Sequence, residues 1–246
     1  MVVEKTKIEG CYVITPSVYG DDRGYFMESF NLKEFEEKTN QKINFVQDNE
    51  SASVYGVLRG MHFQKGEHAQ AKLVRVVFGS VYDVAVDLRK DSPTFGNFVG
   101  VELTEDNKKQ LFIPRGCAHG FYVFSEKGAI FQYKCDNYYH KESDGGIPWD
   151  DKNIDINWED YIHGTPILSE KDKIYEQIDS WKFQLIKEKN EAFDKLKKLE
   201  RFISSDTFNI ISSNDDKKLI FEQERRLTQY LDILIERIKN TDFQWD

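Results

Sequence analysis

The chain has 246 residues, of which 39% are hydrophobic and 14% aromatic, a composition typical of a folded protein with a sizeable core. Its net charge of −9 argues against a general affinity for nucleic acid or for an anionic membrane. The three cysteines are far apart and form no CxxC pair, and no apolar run is long enough to span a membrane. We therefore expect a soluble, cytoplasmic protein without disulfides.

The first two thirds of the chain predict β-structure. The segment "NLKEFEEKT" (31–39) is the one helical candidate there. In the segment "KLVRVVFGSVYDVAVDLR" (72–89), side chains alternate between the two faces of a strand, both before and after Gly79 and Ser80. This pattern predicts a hairpin with its turn at these two residues. Further short strands are predicted over 97–104, 109–116, 120–125 and 129–135. Many short strands without helices between them are typical of an antiparallel sandwich or a jelly-roll barrel.

The last quarter of the chain predicts helices. Apolar residues recur at steps of four, three and four in two stretches: Ala192, Leu196, Leu199 and Ile203, and then Leu227, Leu231, Leu234 and Ile238. The polar segment 212–216 is predicted to join the two amphipathic helices.

We therefore divide the chain into a β-domain, residues 1–180, and a helical hairpin, residues 181–246. The hairpin holds 13 Lys/Arg and 13 Asp/Glu, so the net charge belongs to the β-domain. Two helices bury little surface alone, so we expect the hairpin to pack on the barrel, on a second copy or on a partner.

Histidine is scarce, with five in the chain, and His62 lies in "GVLRGMHFQ" (56–64). It could be a packed ring, a metal ligand or a base. A metal site of the cupin type needs a His-x-His pair on one strand, and Gln64 occupies the second position. A base is favoured because Lys72 leads the following strand and Tyr133 occurs late in the β-region, and such a set can remove a proton, stabilise an oxyanion and return a proton.

Several long motifs occur in a fixed order, and together they identify a resemblance. They are "YGDDRGYFMESF" (19–30), "FVQDN" (45–49), "GVLRGMHFQ" (56–64), "KLVRVVFGSVYDVAVDLRKDSPTFG" (72–96), "QLFIPRGCAHGF" (110–121), "FQYKCDNYY" (131–139) and "GGIPWDD" (145–151). Over residues 3–175 the chain closely resembles the dTDP-4-dehydrorhamnose 3,5-epimerase family. The resemblance implies a mainly β fold, a cupin-like jelly-roll barrel without metal or cofactor. It also implies a homodimer that exchanges strands across its interface.

The same resemblance implies roles for individual residues. His62 matches the general base, and Asp172 matches the carboxylate that pairs with it. Lys72 matches the lysine that stabilises an enolate, and Tyr133 matches the acid on the opposite face. The positions that match contacts to the nucleotide-sugar, some from the partner subunit, are Arg23, Glu28, Gln47, Asn49, Arg59, His119, Asp144 and Lys171. Tyr138 resembles the aromatic residue that stacks on the nucleobase.

We therefore predict an epimerase that inverts C3, C5 or both in a dTDP-linked 4-keto-6-deoxy sugar. Two alternatives stay open: a non-catalytic protein that captures nucleotides or nucleotide-sugars in the same pocket, and a ketoisomerase of related fold. The helical extension lies outside the usual family length and resembles small helical-hairpin proteins of phages, which suggests a phage-encoded or horizontally acquired gene. It is also where we expect an additional oligomer or protein contact.

Overall fold

The computed structural model describes residues 1–211 and 213–241 of the chain. Within these residues the strands are β1 (Val2–Lys5), β2 (Tyr12–Thr15), β3 (Val18–Asp21), β4 (Gly24–Met27), β5 (Gln47–Ser53), β6 (Leu58–Gln64), β7 (Lys72–Asp87), β8 (Phe98–Thr104), β9 (Gln110–Ile113), β10 (Cys117–Val123), β11 (Ala129–Cys135) and β12 (Asp144–Gly146). The α-helices are α1 (Leu32–Thr39), α2 (Ser180–Ile203), α3 (Asp206–Ile211) and α4 (Asn214–Lys239). No helix among the described residues is long and apolar enough to cross a membrane.

Two antiparallel layers face each other and share the long strand β7. The first layer has the order β1–β2–β9–β7–β11–β5, and the second has the order β8–β7–β10–β6–β12. The amino-terminal half of β7 pairs with β9 and β11, whereas its carboxyl-terminal half pairs with β8 and β10. This arrangement confirms the predicted mainly β fold with helices at the carboxyl end.

The predicted hairpin over 72–89 is wrong, because β7 continues through the expected turn. Gly79 adopts φ of +76° inside the strand and lets it bend from one layer to the other. A β-carbon at this position would lie 1.9 Å from the carbonyl oxygen of Gly128, so the crossing also needs the absence of a side chain. The Gly-Ser pair therefore marks a corner of the barrel and not a reversal of the chain.

Among the described residues, hydrophobic side chains in and around the barrel fill three separate spaces. The first lies between the two layers and includes Val74, Val81, Leu103, Phe121 and Phe131. The second covers the outer face of the first layer, where α1 inserts the fully buried Phe35. α1 begins as predicted, with the Asn31 side chain accepting a hydrogen bond from the Glu34 backbone N–H.

The third space lies on the outer face of the second layer and is closed by the chain after β12. Trp158 and Ile178 pack there, followed by Phe183 and Ile186 from the first turns of α2. Phe183 also lies against Phe95, with 5.1 Å between the ring centroids. The beginning of the helical region is therefore part of the wall of the barrel.

The rest of the helical region is an antiparallel pair. Leu185, Ala192 and Leu196 of α2 pack against Leu231 and Leu234 of α4. The predicted linker 212–216 is wrong for most of its length, because α4 already begins at Asn214. Ser213 and Asp216 form a capping box at the start of this helix. The polar residues that suggest a loop in the sequence therefore begin the helix. Residue 212 lies outside the described residues.

One small two-stranded sheet stands apart from both layers. β3 and β4 pair only with each other, and nearly all of their residues are exposed. Its exposed side chains include Tyr19, Tyr25 and Phe26. Single exposed apolar residues are common, but a cluster on a protruding hairpin is typical of an interaction surface.

Candidate active site

A cavity of about 420 Å³ lies between the two layers. Its wall is formed by Ser51, Val57, Leu58, Arg59, His62, Lys72, His119, Phe121, Phe131, Tyr133, Ile167, Leu168, Ser169 and Asp172. The four residues with predicted catalytic roles are all in this wall. The wall combines six apolar side chains with eight polar or charged ones, so it can hold and orient a polar ligand.

His62 and Asp172 form a hydrogen-bonded pair, with 2.5 Å between His62 Nε2 and Asp172 Oδ1. The His62 side chain is 31% exposed and lines the cavity, whereas the Asp172 side chain is 3% exposed. Burial alone would raise the pKa of Asp172, but the hydrogen bonds from His62 and Ser169 outweigh it and hold that pKa below its ordinary value. The carboxylate therefore stays ionised and can fix the orientation of the imidazole.

A short parallel bridge brings these two distant residues together. Val57 pairs with Ile167, the Leu58 N–H donates to the Ile167 carbonyl, and the Ile167 N–H donates to the Gly56 carbonyl. The segment that follows Ile167 is thereby held beside the start of β6. Asp172, which is 110 residues from His62 in sequence, reaches the imidazole from this segment.

Lys72 is the first residue of β7 and lies opposite Cys135 in the register with β11. Burial lowers the pKa of Lys72, against the opposing effects of Cys135 and two carboxylates, Asp83 and Asp144. Its ammonium group therefore loses a proton more readily than that of an exposed lysine does. It is suited to interact with a developing anion in the cavity.

Tyr133 lies on β11 in the first layer, whereas His62 lies on β6 in the second. The two side chains therefore approach the cavity from opposite layers. Burial raises the pKa of Tyr133, so its hydroxyl stays protonated at neutral pH. The cavity thus has a proton acceptor on one wall and a proton donor on the other.

A second histidine–carboxylate pair involves His119, which lines the same cavity. His119 is opposite His62 in the register of β10 and β6, and its Nε2 lies 2.7 Å from Asp83 Oδ1. Burial lowers the pKa of His119, despite the attraction of Asp83. The other oxygen of Asp83, Oδ2, is buried without a hydrogen-bond partner among the described residues. Asp83 was not among the sequence-predicted site residues.

An adjoining cavity of about 290 Å³ shares His62, Lys72 and Tyr133 with the first. Four predicted substrate contacts lie in its wall: Gln47, Asn49, Asp144 and Lys171. Lys171 forms an ion pair with Asp144, and Tyr139 donates a hydrogen bond to the same carboxylate. The hydrogen bond to Asp144 raises the pKa of Lys171, against the effect of burial, so this ammonium group stays charged.

Arg59 lies in the wall of the first cavity, where its guanidinium donates hydrogen bonds to Ser53 and to the Ala52 carbonyl. Tyr138 is 66% exposed on the loop after β11 and lines neither cavity. Arg23 and Glu28 lie outside both cavities of their own chain. Arg23 is paired with Asp21 at the end of the β3–β4 hairpin, and Glu28 accepts a hydrogen bond from Asn31.

Comparison with known proteins agrees with the resemblance found in the sequence. A family model described as dTDP-4-dehydrorhamnose 3,5-epimerase matches residues 5–180. A protein of that name from Shigella flexneri is 55% identical over 172 residues, which are 70% of this chain and 93% of the relative.

Two solved structures give the same result. The dTDP-4-dehydrorhamnose 3,5-epimerase from Elizabethkingia anophelis NUHP1 has 52% identity and a TM-score of 0.68, and the match covers 72% of this chain and 96% of that one. A dTDP-6-deoxy-D-glucose-3,5-epimerase from Legionella pneumophila Philadelphia 1, solved in complex with dTDP-4-keto-L-rhamnose, has 47% identity and a TM-score of 0.68, covering 72% and 92%. These neighbours confirm the predicted cupin-like jelly-roll class.

The helical extension matches a different family. A family model described as Sequestin matches residues 179–240, which agrees with the expectation that this part lies outside the usual length of the barrel family. The phage origin stays a prediction. On the matches over residues 5–180 and the relatives above 50% identity, the chain belongs to the dTDP-4-dehydrorhamnose 3,5-epimerase family.

Proposed function

We propose that this protein epimerises both C3 and C5 of dTDP-4-keto-6-deoxyglucose and so forms the 4-keto-L-rhamnose configuration. The observation that carries the proposal is the pair of proton-transferring groups on opposite walls of one cavity, His62 with Asp172 on one side and Tyr133 on the other. Relatives that match over 90% of their own length carry the 3,5-epimerase name, which supports action at both carbons.

The reaction begins when His62 removes the hydrogen next to the C4 ketone. The C–H electron pair moves to form a carbon–carbon double bond, and the carbonyl electrons move to O4, which becomes an enolate oxygen. The Lys72 ammonium group stabilises that charge, and such a preorganised donor supplies about 3 kcal/mol of transition-state stabilisation. Asp172 holds the imidazole in orientation and stabilises it after it has accepted the proton.

The stereochemistry is inverted when Tyr133 delivers a proton to the same carbon from the other face. The electrons return to re-form the C4 ketone, so the substrate loses one proton and gains one. His62 releases its proton to solvent and Tyr133 recovers one, which resets the site. A second round at the other carbon completes the reaction without any change of oxidation state.

The nucleotide part of the substrate is proposed to occupy the adjoining cavity. Gln47, Asn49 and Lys171 provide donors there, and Lys171 provides a positive charge for a diphosphate. Tyr138 lies on the loop beside this cavity, where its exposed ring is available to stack on a thymine base. Arg59 is proposed to contact the sugar or the diphosphate from the first cavity.

The active form is proposed to be a homodimer in which the β3–β4 hairpin of each subunit covers the partner's site. This arrangement would bring Arg23 and Glu28 to a substrate that they do not approach within one chain. The exposed aromatic side chains of the hairpin support this proposal. Such a surface is normally covered in a functional assembly.

A non-catalytic binding protein is less well supported by the same cavity. Capture of a nucleotide-sugar needs the contacts of the adjoining cavity, but it does not need a buried carboxylate against His62 or a lysine of lowered pKa beside it. The complete set of proton-transfer groups therefore favours the enzyme.

We propose residues 1–180 as the epimerase domain and residues 181–246 as a helical extension that adds an oligomer or partner contact. We also propose a cytoplasmic location, because the three cysteines are buried and unpaired and nucleotide-sugar biosynthesis is an intracellular chemistry.

Deuterium exchange tests the proposed reaction and both carbons together. The protein is incubated with dTDP-4-keto-6-deoxyglucose in D₂O, and the sugar is analysed by NMR. We expect deuterium at C3 and at C5, with inversion at each carbon. Tyr133→Phe should abolish inversion while dTDP binding is retained. Absence of exchange by a folded wild-type protein would exclude the epimerase, and movement of the carbonyl to C3 would indicate a ketoisomerase.

A further inference from the structure

The loop between β11 and β12, residues 136–143, is held by the last residue of β6 and the segment that follows it, residues 64–70. Gln70 Nε2 donates to the Asn137 carbonyl at 2.8 Å, and Asn137 Nδ2 donates to the Glu67 carbonyl at 2.9 Å. At the far end of the loop, the Lys65 N–H donates to the Ser143 carbonyl at 2.7 Å. The strand that carries His62 thus continues into a clamp on this loop.

Two histidines stack at the centre of the clamp. The rings of His68 and His140 are nearly parallel, with 4.0 Å between their centroids and 12° between their planes. His68 Nδ1 lies 2.9 Å from Ser143 Oγ, and the His140 backbone N–H donates to Gln64 Oε1 at 2.8 Å. His68 comes from one side of the clamp and His140 from the other, so the stack joins the two segments.

The His140 ring contributes through the stacking of its face and not through a hydrogen bond of Nδ1. That atom is buried and has no hydrogen-bond partner among the described residues. A buried polar atom without a partner is unfavourable, so the favourable contribution of this side chain comes from the stacking. An aromatic ring without nitrogen could make the same contact.

The clamped loop lies beside the cavity that we propose for the nucleotide. Tyr138 and Tyr139 lie within the loop and Asp144 follows it, while neither His68 nor His140 lines a cavity of the site. Gln64, which binds the His140 backbone, also reaches Asp144 with 3.5 Å between Nε2 and Oδ1. We propose that the stacked His68–His140 pair is a positioning element that fixes this loop for the nucleotide and so sets substrate affinity without taking part in proton transfer. The inference rests on the proposed function for the identity of the ligand.

The test separates affinity from chemistry. The variants are His140→Ala, which removes the stack, His140→Phe, which keeps an aromatic ring, and His68→Ala from the other side. The exposed His163 provides a matched control as His163→Ala. We expect His140→Ala and His68→Ala to raise KM for the nucleotide-sugar and Kd for dTDP by about three- to tenfold, the loss that corresponds to one aromatic contact. The value of kcat should stay within about twofold, and His140→Phe should return KM to near the wild-type value.

Three results would overturn the inference: unchanged KM and Kd in His140→Ala, a His140→Phe variant as impaired as His140→Ala, or a loss confined to kcat. Calorimetry with dTDP alone keeps this result separate from the fate of the proposed reaction. If the wild type binds dTDP but exchanges no deuterium, the proposed function fails, whereas weaker dTDP binding by His140→Ala would still support the positioning role.

Discussion

Two histidines face each other in the register of β6 and β10, and their surroundings make them chemically different. Each has a carboxylate partner at hydrogen-bond distance. The side chain of His62 is 31% exposed and can meet a substrate, whereas that of His119 is 8% exposed. Burial lowers the pKa of His119, so this ring stays neutral and acts as a fixed polar group in the wall. The base is therefore assigned by access to the cavity and not by residue type.

Asp172→Asn should reveal how far the base depends on its carboxylate. The amide cannot hold the protonated imidazole as an anion does, so we expect kcat to fall by about 10²- to 10⁴-fold, the range for a general base. The control is Asp83→Asn, which alters the other histidine and should reduce kcat by less than about tenfold. Both are measured as deuterium exchange at saturating substrate, and equal losses in the two variants would contradict the assignment of His62 as the base.

The fall of the epimerisation rate at alkaline pH should reflect the loss of the proton from Lys72. Because burial lowers the pKa of Lys72, its charge is present below that lowered pKa and is lost as the pH rises through it. The rate should therefore fall at a pH below the usual lysine value, while Tyr133, whose pKa is raised, stays protonated. In Lys72→Arg the charge persists to higher pH, so the fall should move upward even if the overall rate is lower. A profile from about pH 7 to about pH 11 measures this, and an unmoved fall in the variant would exclude Lys72 as its cause.

Local motifs around His62, Lys72 and Tyr133 pointed to acid–base chemistry. Asp172 could be found only through the family resemblance, because a bridge between Val57 and Ile167, far apart in sequence, brings it to the site. Asp83 was missed for a different reason. Residues 74 and 76 face the space between the layers, but after the corner at Gly79 the inward residues are 81 and 85, so the alternation shifts by one. Counting every second residue along β7 from Lys72 therefore places Asp83 on the outer face of the strand, although it lies on the inner face.

At the scale of elements, β7 determines how the barrel closes. One 16-residue strand belongs to both layers, and it carries Lys72 at its start and Asp83 after the corner. The alternating sequence predicted the two halves of this strand correctly but not their connection. A Gly-Ser pair fits either a turn or a bend, and only the pairing with β8 and β10 on the far side distinguishes them.

Substitution of Gly79 should be more damaging than its backbone angle alone explains. Gly79→Ala places a methyl group 1.9 Å from the Gly128 oxygen, so we expect the free energy of unfolding to fall by about 2–4 kcal/mol. Gly10 has nearly the same φ, +75°, but a β-carbon there has no neighbour closer than 3.7 Å. Gly10→Ala should cost only about 1 kcal/mol. Denaturant unfolding measures both, and equal losses would indicate that the close approach to Gly128 is relieved.

The first turns of α2 should stabilise the barrel, unlike the rest of the helix. Phe183 is fully buried against the second layer, so Phe183→Ala should lower the free energy of unfolding by about 3–5 kcal/mol. Phe193 lies on the same helix but is 49% exposed, and Phe193→Ala should change it by less than about 0.5 kcal/mol. Unfolding is followed together with epimerase activity as the measure of an intact barrel. Equal, small effects of the two variants would mean that the helix is dispensable for the barrel.

At the scale of the whole molecule, one chain does not contain every group that the resemblance assigns to the site. Arg23 and Glu28 lie on or beside an exposed hairpin and approach neither cavity. In the proposed two-fold dimer, each hairpin would reach the other subunit. The family resemblance implied these contacts, whereas no pattern within the sequence shows which subunit's site a residue serves.

Mixed dimers test whether Arg23 acts on the partner's site. His62→Asn and Arg23→Ala are each expected to have low activity alone. If Arg23 acts across the interface, random mixing gives hybrids in half of the dimers, and each hybrid has one site with both residues intact. About a quarter of wild-type activity should then return. No recovery, in a mixture shown by light scattering to consist of exchanged dimers, would indicate that Arg23 acts within its own chain.

The docking of Phe183 and Ile186 on the barrel also affects what the hairpin of α2 and α4 can recognise. Helices joined by a flexible tether would sample many positions relative to the barrel, but the first turns of α2 pack on the wall of the barrel and α4 packs along α2. The proposed two-fold dimer would therefore present two identical hairpins at one fixed spacing and orientation. A ligand with two binding surfaces gains avidity only if its own geometry matches that spacing. In that dimer, the barrel would determine the distance between the two helical hairpins.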